Sequence, residues 1–113
     1  MEVLAPKIVN TLQTAVTFLD PLSTFYERLL PFEAVEASYA DWHPDGLEVW
    51  LVVYRANATD RQQIYKHELA LMRAFPDLGL DTRLIDRAEV DPLTAVDLTA
   101  VDTFLRFPRL HHV

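Results

Sequence analysis

Asp41, His43 and Asp45 stand at alternate positions just before the apolar run Leu47 to Tyr54. On an extended strand alternate residues share a face, so the three could converge on a cation or pair an acid with a base. Pro44 and Gly46 interrupt that strand where ligands would have to be held. Pro and Gly beside Asp and His are turn chemistry, and the stretch is expected to be the polar tip of a hairpin without a tight metal site. Glu68 is a different kind of candidate. It falls within the apolar stripe Ile64, Tyr65, Leu71, Met72 and Phe75 of a helical pattern, with Leu69 at the margin. A carboxylate there is costly unless paired or protonated. Arg61 lies two turns earlier, and Arg55 and Arg83 fall on flanking strands. The expectation is a structural ion pair tying helix to sheet. The sharper alternative is a ligand site built from Arg55, Arg61, Glu68 and Arg83, or catalysis by Glu68.

Other machineries are missing. Gly46 and Gly79 are the only glycines, so no glycine-rich loop can cradle phosphates. Serine occurs only at Ser23 and Ser38, neither in a nucleophile-elbow context. Cysteine is absent, which excludes thiol catalysis, disulfides and thiolate metal sites and agrees with a reducing cytoplasm. No cofactor is implied. His67 falls on a helix flank, and His111 and His112 lie at the C-terminus, where fraying is the default. A net charge of −7 opposes nucleic-acid binding, which depends on Lys and Arg neutralising phosphates. The run at Leu47 to Tyr54 is too short to cross a bilayer, and no basic-then-apolar leader opens the sequence, so neither a membrane span nor a signal peptide is expected.

The elements that position these residues follow from periodicity. With 113 residues and half of them apolar, the chain is expected to form one domain. Lys7 to Leu19 carries Ile8, Leu12, Ala15, Val16 and Leu19 at helical spacing. Asp20-Pro21 caps a second helix that runs to Leu30 before Pro31. Phe32–Trp42 and Leu47–Arg55 read as strands of a hairpin, the second apolar on both faces and therefore central and covered on both sides. A helix over 60–75 follows, with a capping box from Thr59 and Gln62 or from Asp60 and Gln63. Asp81–Arg87 is then a third strand, parallel to the second through a right-handed crossover. Residues 88–113 form a terminal arm, helical from Pro92 to about Phe107, with Leu93, Val96, Ala100, Phe104 and Phe107 along one face. Its duplication LTAVD-LTAVD is not a repeat architecture, because five residues overshoot one helical turn. Phe25, Tyr26, Trp42, Trp50, Phe104 and Phe107 are expected to be core and interface anchors. The fold class is α+β: two N-terminal helices, a ββαβ mixed three-stranded sheet and a C-terminal helical arm.

A hairpin and crossover behind N-terminal helices resembles the minimal nucleotidyltransferase fold. That resemblance implies magnesium held by paired acids on adjoining strands beside a Gly-Ser loop. This sequence has no Gly-Ser, and Trp50 stands where the second acid should follow Glu48-Val49. Pro44-Asp45…Glu48 is similar to the start of a restriction-endonuclease motif, but Trp50 again replaces the Lys that motif needs. Either ancestry implies a lost active site. Function is therefore expected to be non-enzymatic, through contact with another protein or as a cytoplasmic homodimer. The alternatives are a small-molecule or metal-dependent enzyme using Glu68 or the Asp41–Asp45 tip, and a degenerate nucleotidyltransferase-like module.

Overall fold

A computed structural model describes residues 20–109. The expected helix over 7–19 and the His111–His112 pair lie outside the described residues. Within them the chain is α+β, with a four-stranded mixed sheet and three helices. Helix α1 spans Pro21–Leu29. The Asp20 side chain caps it, accepting from the Leu22 amide, and Pro21 occupies a first-turn position whose N–H would be unpaired anyway. Leu22, Phe25 and Leu29 recur at helical spacing and are buried.

Strands β1 (Val35–His43) and β2 (Gly46–Val53) form the hairpin, with Pro44 and Asp45 alone in its turn. The turn is therefore shorter than the four residues His43 to Gly46 suggest, since those two pair with each other. Gly46 passes so close to Gly79 that an added Cβ would collide with the Gly79 carbonyl. Helix α2 (Ala58–Ala74) crosses over to β3 (Leu80–Asp86), which runs parallel to β2. Its capping box uses Asn57 and Asp60, two residues earlier than Thr59 and Gln62 and three earlier than Asp60 and Gln63; Asn57 accepts from the Asp60 amide at 2.8 Å and Asp60 accepts in return at 3.0 Å.

The sheet order is β3-β2-β1-β4, where β4 (Thr103–Arg106) pairs antiparallel with β1. The sheet is thus four-stranded, not three-stranded, and the expected helical arm is corrected: helix α3 is one turn, Pro92–Ala95. Val96 leaves it extended, and the Asp97 carboxylate then captures the Thr99 amide at 3.1 Å and its hydroxyl at 2.6 Å. Asp side chains compete with helices in this way. The first LTAVD holds the helical turn and the second a hydrogen-bonded turn, so context decides the conformation of an identical pentapeptide.

Topology then dictates the two layers. β4 is parallel to β3 yet lies at the opposite sheet edge, so residues 87–102 must cross back over two strands. A right-handed crossover moving the other way across a sheet has to use the other face. Accordingly α1 and α2 cover one face, burying Leu47, Val49, Leu51 and Val53 against Phe25, Leu29, Ile64 and Leu71. The returning strap covers the other, where Val96 and Val101 pack on Trp50, Ile85 and Tyr39. The central strand is therefore covered on both faces. Phe107 returns to the helix-side core and stacks on Tyr26 with centroids 4.4 Å apart, so Val96 and Phe107 end on opposite faces, not on one helical stripe.

Two buried polar nodes hold the termini of these elements. Asp86, at the end of β3, accepts from the amides of Arg55 at 2.9 Å, Ala56 at 3.2 Å and Ala88 at 3.0 Å. Arg55 has φ of 52°, a left-handed conformation unusual for a non-glycine residue. The carboxylate fixes that bend by collecting two successive amides. Arg109 does the converse for α1: its guanidinium donates to the carbonyls of Leu30 at 2.8 Å, Phe32 at 2.7 Å and Val35 at 2.8 Å. It thus supplies donors to the Leu30 carbonyl at the helix C-terminus and to the Phe32 and Val35 carbonyls of the connection into β1.

Candidate functional site

The hairpin register decides which polar residues meet. His43 pairs with Gly46 and Asp41 with Glu48, so Asp41, His43 and Glu48 lie on the strap-side face at the turn end of the hairpin. His43 Nε2 is 3.2 Å from Asp41 Oδ2 and 3.4 Å from Glu48 Oε1. One donor atom from each of the three lies within 4.8 Å of the others. Asp45 is exposed in the turn and stands outside this cluster. The structure thus keeps two members of the alternating triplet and replaces the third by Glu48. That substitution was legible: a two-residue turn between His43 and Gly46 fixes the pairing of Asp41 with Glu48.

The Asp41 side chain is 12% exposed and that of His43 42%. An imidazole N–H between two carboxylates is a shared donor, satisfying each weakly. Arg83 adds a peripheral positive charge, its Nε 3.4 Å from Glu48 Oε2 and its Nη2 3.4 Å from Asp81. Deeper on the same face the Trp50 ring closes the floor toward the strap. The cluster therefore offers one imidazole nitrogen and two carboxylate oxygens toward a common point.

Glu68 has a different environment from the one its neighbours in sequence suggest. It faces β3 from the inner side of α2, where burial raises its carboxyl above the ordinary range; the Thr82 hydroxyl opposes that shift and the Asp81 charge adds to it. Thr82 Oγ1 is buried without a partner at hydrogen-bond geometry, so the Glu68–Thr82 approach is a proximity and not a formed bond. None of the three expected arginines ties Glu68 down. Arg61 Nη2 reaches Asp86 at 3.5 Å, Arg83 sits on the opposite sheet face with Glu48, and Arg55 lies over the Tyr54 ring. The helix stripe is also rotated by about one position: Tyr65 and Met72 are exposed, while Ile64 and Leu71 are buried. His67 lies beside Arg28 and Phe32, and its pKa is lowered by burial and then by the Arg28 and Lys66 charges.

Sequence reasoning missed a further ion pair. A bulge between Val35 and Ala37 brings Glu36 into contact with Arg87, which donates Nε and Nη2 to the two carboxylate oxygens and lies 4.1 Å over the Tyr54 ring. The bulge, an extra residue with no sequence marker here, is what hid it. No family model, curated protein or solved structure matches the chain.

Proposed function

We propose that the chain acts without catalysis of its own, as a protein–protein interaction module that assembles as a homodimer through the strap side of its sheet. The observation that carries this reading is the apolar surface gathered there. Leu93 is 61% exposed and Leu98 and Val90 about half, all on the strap, while Phe104 on β4 turns outward on the same side. Single exposed apolar residues are normal on a soluble surface, but four within fifteen positions on one side are the pattern of a contact surface. The strap's apolar anchors on the sheet are Val96 and Val101, and a second copy would bury its outer side. A symmetric pair is the commonest way for identical chains to cover such a surface.

Deleting the chain from Pro92 onward would remove Phe107 and Arg109 from the folded core, so point substitutions are the proper test. Sedimentation velocity across the micromolar range should show a dimer for the parent and a monomer for Leu93→Ser combined with Leu98→Ser, with unchanged circular dichroism. A parent that sediments as a monomer refutes the dimer. A dimer surviving both substitutions refutes the strap as its interface.

A further inference from the structure

We propose that Asp41, His43 and Glu48 form a binding site for a transition-metal dication of the zinc type, at the turn end of the hairpin. Three observations carry this independently of the dimer. The first is geometric: residues i and i+2 of one strand and the partner of i on the next strand present one nitrogen and two oxygens to a common point, all within 4.8 Å. Zinc takes His nitrogen and carboxylate oxygen at about 2.0–2.2 Å and is commonly held by three protein ligands with a fourth position open. Modest rotation of side chains at a solvent-facing hairpin end brings three such atoms onto one ion.

The second is the state of Asp41. Its side chain is 12% exposed, lies 3.2 Å from His43 Nε2 within the cluster, and among the described residues has no partner outside it. A buried carboxylate requires compensation by charge or by several hydrogen bonds. The shared His43 N–H gives Asp41 one such contact, and a dication would compensate both carboxylates at once.

The third is ligand chemistry. A mixed imidazole and carboxylate set suits zinc, nickel or iron, whereas magnesium retains its waters and prefers oxygen alone. Arg83 approaches Glu48 from the far oxygen, is exposed, and has Asp81 as a second carboxylate, so it can yield Glu48 to an incoming ion.

The test is calorimetric titration of the full chain with zinc chloride and, separately, magnesium chloride. One zinc per chain with micromolar affinity is expected, and no comparable magnesium binding. Removing a direct ligand, in His43→Ala or Glu48→Gln, should weaken zinc by more than the roughly 10–100-fold that loss of an outer-shell partner costs. Asp45→Asn should leave it unchanged, because Asp45 stands outside the cluster. The histidine ring resonances of the parent should report zinc at His43. Absence of zinc binding overturns the proposal, as does zinc affinity retained in Glu48→Gln, or lost equally in Asp45→Asn. All three substitutions lie at the exposed hairpin end, and unchanged circular dichroism separates lost ligation from lost fold.

Discussion

Replacing Asp86 should test whether one carboxylate holds the crossover together. Its two oxygens have separate duties. Oδ1 accepts from the Arg55 and Ala88 amides at 2.9 and 3.0 Å, while Oδ2 accepts from Ala56 at 3.2 Å and meets Arg61 at 3.5 Å. Asp86→Asn can keep the Oδ1 pair but sets an amide NH2 against the Ala56 N–H and the Arg61 guanidinium. A hydrogen bond to a charged group is worth about 1.5–3 kcal/mol, so the Asn variant should lose about 2 kcal/mol. Asp86→Ala leaves all three amides without their acceptor and should cost about 3–5 kcal/mol, less than a simple sum because the bonds share one group. Arg61 is partly exposed and adds little to either figure.

The pH dependence has a definite sign. Burial alone would raise the Asp86 pKa, but the amides of Arg55, Ala88 and Ala56 together with Arg61 outweigh it and leave the carboxyl below its ordinary value. A group depressed in the folded state contributes stability above its unfolded pKa, near 3.9, and loses it as pH falls through the folded value. Urea denaturation at pH 7 and again below pH 4 should therefore show the gap between parent and Asp86→Asn narrowing in acid, with the slope of stability against urea unchanged. A gap at pH 7 within about 0.5 kcal/mol, the range of ordinary surface substitutions, would refute the node.

Two further outcomes concern the other buried charges. Glu68→Gln should be no less stable than the parent at pH 7: an acid raised by burial costs stability as pH rises from its unfolded pKa, near 4.3, through its folded one, so the variant should lose that decline in a urea series from pH 4 to 8. A variant less stable than the parent at neutral pH would mean that the carboxylate has a cationic partner after all. Arg109→Lys should lower stability by about 2–4 kcal/mol, since one ammonium cannot reproduce a planar fork reaching the Leu30, Phe32 and Val35 carbonyls; a melting temperature equal to the parent's would refute the cap.

Local signals in the chain were legible where one residue type has one physical use. Asp20-Pro21 and Asp91-Pro92 both start helices in the structure, because a carboxylate cap followed by a residue without N–H fits only that place. The central strand was readable because Val49, Leu51 and Val53 alternate with Trp50 and Val52, and both sets are buried. What could not be read is how far the second Asp-Pro helix would continue. Leu, Thr, Ala and Val at 93–101 permit helix, strand or turn, and the decision falls to the Asp97 side chain and to the pairing of β4 with β1. Tertiary pairing overrides a weak local preference of this kind.

The same distinction explains the site. Spacing along one strand can place Asp41 and His43 on a common face, but it is silent about the neighbouring strand. Treating Asp45 as the third member extends the alternation through a turn, where alternation no longer holds. Register supplies the missing rule: a hairpin centred between Pro44 and Asp45 sets Glu48 opposite Asp41, and a one-residue slip would instead turn every β2 side chain to the other face. Leu47, Val49, Leu51 and Val53 would then leave the helix-side core, a loss far larger than any carboxylate contact could offset. The apolar face of β2 thus sets where Glu48 stands, and the polar cluster is a consequence of how the core packs.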